Sequence, residues 1–201
     1  MTQNHMKIEY EAKFINIDKD KIREKLRALG ADLIKPEFLQ KRVVFNLPTG
    51  HQIEGGWLRV RDEIDKITMS FKMVTGNTIK DQKEICLTVN SFSDAENFLA
   101  SIGCKKRSYQ ESKRELWKLG NVEITIDEWP FLEPFVKVEG DSEKSVKLAC
   151  RKLGFGYSEA IFSATDMLIH KKYGISLDRI NNRTPKIVFN MENPYLSKEC
   201  C

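Results

Sequence analysis

No run of 18 apolar residues occurs anywhere in this 201-residue sequence, and its opening, Met1-Thr2-Gln3-Asn4-His5-Met6-Lys7, is polar where a secretory leader would carry an apolar stretch. The expectation is a soluble, cytoplasmic protein without a membrane partner. A one-sided charge is missing too: 33 Lys and Arg stand against 29 Asp and Glu, a net charge of only +4. That balance lacks the basic excess needed to neutralise a phosphate backbone, so nucleic acid is not an expected partner. Cysteine is sparse and unpatterned. Cys86, Cys104, Cys150, Cys200 and Cys201 include no CxxC pair and no His at metal-ligand spacing, and their odd number argues against a disulfide framework. The first three sit among apolar neighbours and read as small core residues, whereas Cys200 and Cys201 belong to a terminal tail. The length suits one main domain.

What the chain does contain is alternation. In residues 7–15, Ile8, Tyr10, Ala12 and Phe14 point one way and Glu9, Glu11 and Lys13 the other, the period-two pattern of a strand. A helix follows from Asp18, a capping residue, to Leu29, with Ile22, Leu26 and Leu29 at helical spacing and Gly30 as its stop. Strands are expected at 41–47, 57–62, 66–74 and 82–89, then a helix announced by the capping-box pattern Ser93-Asp94-Ala95-Glu96 and ended by Gly103. Further strands near 105–110, 113–119, 121–127 and 134–139 lead to a third helix from Ser142 to Gly154, and a fourth is expected at 163–173 before Gly174.

An internal repeat runs through "IREKLRALGADLIKPEFLQKR" and "AENFLASIGCKKRSYQESKR", each giving helix, glycine, extended segment, Gln and a strand with Arg. Residues 1–174 are read as one domain. Residues 175–201 form a C-terminal extension whose short apolar run Ile187-Val188-Phe189 adds an edge strand or covers an opening.

Strand by strand, the residues opposite the apolar face form a consistent charged set: Arg59 and Arg61 in "WLRVRD", Lys66, Thr68, Ser70 and Lys72 in "KITMSFKM", Glu123, Thr125 and Asp127 in "VEITID", Lys137 and Glu139 in "FVKVEG". Two architectures fit: a sheet with one face in water, or a barrel with a polar lumen and helices outside. Parity does not separate them, but residue types favour the barrel. Glutamates at i and i+2, about 6–7 Å apart on one face, repel unless a cation lies between them. Hard carboxylate oxygens suit Mg²⁺ or Mn²⁺, and guanidinium forks match phosphate oxygens. A metal and a polyphosphate together account for the pattern.

This set, met in order along the chain, resembles the CYTH superfamily of triphosphate tunnel metalloenzymes, which includes class IV adenylyl cyclases and thiamine-triphosphatase-like and inorganic triphosphatases. The residues carrying the resemblance are Glu9-x-Glu11-x-Lys13, "WLRVR", "SFK", the Glu84 strand, Lys113-Arg114, "ITID" and "FVKVEG", spread over about residues 6–173. It implies an α+β fold: a closed antiparallel eight-stranded β-barrel, a tunnel wrapped by about four helices. Glu9, Glu11, Glu139 and Asp127 are implied as metal ligands for Mg²⁺ or Mn²⁺, and Lys13, Arg59, Arg61, Lys72 and Arg114 as triphosphate ligands. Lys72 and Glu84 are the implied catalytic residues, Lys72 helping to position water and Glu84 orienting a base or holding an arginine.

The implied activity is metal-dependent hydrolysis of inorganic tripolyphosphate, thiamine triphosphate or a nucleoside triphosphate, by a monomer or homodimer. Adenylyl cyclisation and non-catalytic polyphosphate binding are the alternatives. The sequence departs from the resemblance at Lys137, where an acid is usual, at Cys86 and Thr88, and at Ser112, where a lysine often stands. Trp57, Trp117 and Trp129 are expected to be packing residues, with a stacking role for a base as the alternative, and His5 a tail residue.

Overall fold

A computed structural model describes residues 6–196; His5, Cys200 and Cys201 lie outside that range. Strands β1 (Lys7–Ile8) and β2 (Tyr10–Phe14) are two halves of one extended segment, and helix α1 (Lys19–Ala28) follows. Next come β3 (Asp32–Asn46), β4 (Gly56–Asp62), β5 (Ile67–Val74), β6 (Gln82–Val89), α2 (Phe92–Ser101), β7 (Lys105–Leu119), β8 (Val122–Glu128), β9 (Phe135–Gly140) and α3 (Glu143–Leu153). Then α4 (Thr165–Tyr173), α5 (Leu177–Asn182) and β10 (Lys186–Ile187) complete the described chain.

The strand order is β1-β6-β5-β4-β3-β7-β8-β9-β2, antiparallel throughout that path. Because β1 pairs with β6 and β2 pairs with β9, one N-terminal strand meets both edges and curls the sheet into a nearly closed barrel. The seam runs through Glu9, whose N–H donates to the Gln82 carbonyl at 2.9 Å, and the Gln82 side chain donates to the Glu11 carbonyl at 3.1 Å. With β1 and β2 counted together, the path has the expected eight strands.

Helices cover the outside. α1 and α3 pack on the apolar face of β2, β8 and β9, where Ala12, Leu26, Ile124, Val138 and Val146 are wholly buried. α2 brings Ala95 and Leu99 against Val43, Phe45 and Val60 of β3 and β4. Alternation therefore serves two buried faces, apolar outside under the helices and charged within the barrel.

The elements differ from the sequence reading in several places. β3 begins at Asp32, nine residues before the expected 41, because its first half pairs with β7 through register shifts between Leu33, Lys35 and Phe38. β7 is one strand where two were expected. Its first half pairs with β3 and its second half with both β3 and β8, so one long strand joins neighbours that local pattern treats separately. The repeated segments noted in sequence end in β3 and β7, which pair with each other. The cap of α2 is Ser91, whose hydroxyl accepts from the Asp94 N–H at 3.1 Å, rather than Ser93. Cys104 and Cys150 are buried as expected, whereas Cys86 is exposed: two residues after Glu84, it lies on the polar face of β6 and not on the apolar one.

The C-terminal segment packs against the barrel instead of trailing from it. β10 runs parallel to β7 at Tyr109 and Gln110, on the half of β7 that β8 does not reach. Ile169, Ile180, Ile187 and Tyr195 form a small core of their own there. Among the described residues no helix is long and apolar enough to cross a membrane.

Candidate functional site

The barrel encloses a cavity of about 270 Å³ lined by every residue singled out from the sequence as a candidate: Glu9, Glu11, Lys13, Arg59, Arg61, Lys72, Glu84, Arg114, Asp127 and Glu139. Strand pairing explains the convergence. Glu11 lies directly across from Glu139 and Lys13 across from Lys137 on the β2–β9 pair; Lys72 faces Glu84 on β5–β6, and Arg114 faces Asp127 on β7–β8.

At one side Glu9, Glu11 and Glu139 each bring a carboxylate oxygen within 4.8 Å of the others. Three hard oxygen donors converging in this way fit a divalent cation such as Mg²⁺ or Mn²⁺. Asp127 is not in this trio. Its carboxylate takes both arms of the Arg114 guanidinium, at 2.6 and 2.9 Å, and a 3.0 Å hydrogen bond from the Thr125 hydroxyl. Burial opposes its ionisation, but Arg114 holds its pKa below the usual aspartate value.

Lysines already neutralise the trio in part. Glu11 accepts from the Lys13 ammonium on one oxygen, and the Lys137 ammonium lies 3.0 Å from the other. Lys137 also donates to Glu139 at 2.6 Å. The Lys72 ammonium is 2.6 Å from Glu9 and 3.5 Å from Glu84. The consequences for ionisation differ across the trio. Although wholly buried, Glu11 is held well below its usual pKa by Lys13, Lys137 and Lys72, and Lys137 pulls Glu139 down as well. Glu9 is pushed up to about 7, because burial and the nearby Glu84 and Glu11 outweigh the attraction of Lys72.

The other side is basic. Arg59 donates to Glu84 at 3.0 Å, and Arg61 sits 2.6 Å from Glu63. Of the two roles open to Glu84, the geometry here is that of a carboxylate holding an arginine and a lysine, and those two cations, with a hydrogen bond shared with Glu9, keep its pKa low despite burial. Arg61 is pushed down to about 10 by burial and by the guanidiniums of Arg59 and Arg114.

Arg42 was missed by the sequence reading. It is 5% exposed, its guanidinium stacks 4.4 Å from the centre of the Trp129 ring, and it donates to the neutral oxygens of Gln40 and Ser112. No carboxylate lies within ion-pair distance of it among the described residues. Burial and the positive charges of Arg59, Arg61 and Arg114 together hold its pKa well below the usual arginine value. The signal was present, since Arg42 follows Gln40 at the same parity, but the strand expected at 41–47 leaves Gln40 out. Ser112, one of the departures from the resemblance, is where Arg42 reaches. Lys66, Arg107 and Gln110 also line the cavity. Trp117 and Trp129 are buried, as packing residues would be, whereas Trp57 is half-buried at the cavity wall.

A nearly closed antiparallel barrel, with helices outside and a buried lumen of carboxylates, lysines and arginines inside, defines a tunnel protein with a charged interior. Residues 7–167 match the CYTH domain, and the chain belongs to that family. A Methanocaldococcus jannaschii protein named as a candidate adenylate cyclase is 28% identical over 134 residues, 66% of this chain and 76% of that protein. Solved structures share the fold at lower identity. A Vibrio parahaemolyticus protein, titled a candidate adenylate cyclase, superposes with a TM-score of 0.69 at 10% identity, covering 81% of this chain and 98% of its own. A Pyrococcus horikoshii protein gives a TM-score of 0.64 at 22% identity, covering 78% and 96%. A Hippeastrum protein whose title names a dominant triphosphatase activity gives 0.52 at 13%, covering 84% and 98%.

Proposed function

We propose that this protein hydrolyses a triphosphate-containing substrate bound in the tunnel, with a divalent cation held by Glu9, Glu11 and Glu139. The observation that carries this reading is the excess of guanidinium over available carboxylate on one side of the lumen: among the described residues Arg42 has no acidic partner, and the Nε groups of Arg42, Arg59 and Arg61 are buried without an acceptor. Buried donors left unpaired are costly, and phosphate oxygens supply the acceptors they lack. The adjoining carboxylate trio would hold the cation, which, when bound, polarises phosphoryl oxygens and lowers the pKa of nearby water.

The chain's own residues would do the rest. Arg59, Arg61, Arg114 and Lys13 neutralise charge on the non-bridging oxygens and stabilise its growth as the terminal phosphoryl group departs. Glu84 aims Arg59 and Lys72 into the lumen, so neither cation must reorganise when substrate arrives. Lys72, between Glu9 and Glu84, stands where an incoming water can be oriented. Asp127 fixes the Arg114 fork and is one step removed from the ion.

Adenylyl cyclisation is the second reading, favoured by the name of the M. jannaschii relative. Products separate the two. Purified protein incubated with ATP, tripolyphosphate or thiamine triphosphate, each with Mg²⁺, Mn²⁺ or EDTA, is expected to release orthophosphate in the metal-containing samples only. Cyclic AMP and pyrophosphate from ATP would replace hydrolysis with cyclisation, and absence of any metal-dependent product would overturn both.

A further inference from the structure

Where the resemblance leads one to expect an acid, this chain carries Lys137, and its ammonium stands between the two halves of the lumen. On one side it lies 3.0 Å from Glu11 and 2.6 Å from Glu139, two of the three acids that converge on the candidate metal position. On the other side, β9 pairs with β8 so that Lys137 is directly across from Thr125, whose hydroxyl donates to Asp127 at 3.0 Å. Asp127 in turn takes both arms of the Arg114 guanidinium. The charges of Asp127 and Arg114 both act on Lys137, which places it within electrostatic reach of the phosphate-binding side.

Lys13, directly across the β2–β9 pair, is held differently. Besides Glu11, its ammonium donates to the Ser163 carbonyl at 2.7 Å, a neutral partner that stays in place whatever happens to the acids. Among the described residues Lys137 is held by Glu11 and Glu139 alone. A divalent cation that engages these two carboxylates takes both partners from Lys137 at once. An ammonium left without an anion in a lumen wall is costly, and the lysine stem is flexible enough to re-aim its charge while the strand stays fixed.

Resting on the triphosphatase reading, we infer that Lys137 is a transferable cation that couples metal binding to substrate binding. In the free protein it holds Glu11 and Glu139 together; once a divalent cation takes those acids, its ammonium turns to a phosphate oxygen of the triphosphate beside Arg114. Lys137 is thus a positioning residue in the free lumen and a substrate-binding residue only in the metal-loaded one. Metal and triphosphate then strengthen each other's binding by the same factor, since such coupling is reciprocal.

The test is calorimetric binding of imidotriphosphate, a tripolyphosphate analogue with nitrogen in place of the bridging oxygens, to wild type, Lys137→Gln and Lys137→Arg, in EDTA and in saturating Mn²⁺. Binding of Mn²⁺ to the analogue in solution is common to all three proteins and cancels in the comparison. In Lys137→Gln, affinity in EDTA is expected to stay within about threefold of wild type, while affinity in Mn²⁺ falls about tenfold or more, the scale of one charged hydrogen bond. Lys137→Arg keeps the lumen charge and is expected to retain the wild-type ratio of the two affinities within about threefold; loss of that ratio overturns the coupling even if the glutamine variant does not fold. Equal losses in EDTA and in Mn²⁺ for Lys137→Gln would make Lys137 an ordinary phosphate ligand, and no loss in either would leave it on the acids throughout. Each of these results overturns the coupling and leaves the hydrolase reading standing. A wild type that neither binds the analogue nor turns over tripolyphosphate overturns the hydrolase reading and the coupling with it.

Discussion

The Lys137 ammonium reaches across the β2–β9 pair to within 3.0 Å of Glu11 Oε2 while donating to Glu139 on its own strand at 2.6 Å. One lysine thus occupies two of the three carboxylates that converge on the candidate metal position, and burial does not prevent it from staying charged, because Glu11 and Glu139 raise its pKa. A divalent cation has to displace this ammonium to engage both acids. Lys137→Gln is therefore expected to tighten Mn²⁺ binding by about tenfold, a change of ~1.4 kcal/mol. Calorimetric titration of the free protein with Mn²⁺ checks this, and equal or weaker affinity in the variant would show that Lys137 does not compete.

Glu11 is the carboxylate on which the two lysines meet. Glu11→Gln removes a donor from the trio and leaves Lys13 and Lys137 with one fewer anion, so metal-dependent turnover is expected to fall by ~10²–10³. EDTA should bring the wild type to the same residual rate. A variant that keeps more than a tenth of wild-type turnover would place the cation elsewhere.

Arg42 separates binding from stability. As a buried guanidinium without a carboxylate partner among the described residues, it is costly in the free protein and useful only to a bound anion. Arg42→Met is expected to weaken tripolyphosphate binding by roughly 10–100-fold, corresponding to loss of a charged hydrogen bond. Thermal stability without ligand should be unchanged or higher. A lower melting temperature together with unchanged affinity would make Arg42 a structural residue.

The outer core should behave in the opposite way. Leu26 is wholly buried where α1 packs near α3 and the barrel wall, and it is not part of the lumen wall. Leu26→Ala is expected to cost ~2–5 kcal/mol in urea unfolding. Affinity for tripolyphosphate, measured well below the transition, should remain within a factor of two, since the lumen residues project from the other face of the strands.

Much of this site was legible because strand parity is a local property. Glu9, Glu11 and Lys13 must leave one face of a strand whose other face carries Ala12 and Phe14, wherever that strand lies, and the same holds for Arg59, Arg61, Lys72, Asp127 and Glu139. Capping chemistry is equally local, which is why Asp18 and Ser142 marked the starts of α1 and α3. Ser93 misled because a second serine, Ser91, lay two residues earlier and only the backbone geometry chooses between them. Arg42 escaped for a related reason: its strand shows a charged face only when read back to Gln40, and the neighbours that make it an unpaired cation come from β4, β7 and the Trp129 loop.

By itself the sequence determined that the charged residues share a face and that helices cover the apolar one, since periodicity depends only on neighbours along the chain. The tertiary structure alone decided that the face is a lumen, by letting a single strand pair with both β6 and β9 around Glu9. Which ammonium lies on which carboxylate, and that α5 and Trp57 line one cavity, also depends on pairings between residues far apart in sequence. Register and closure are long-range choices, and no local pattern encodes them.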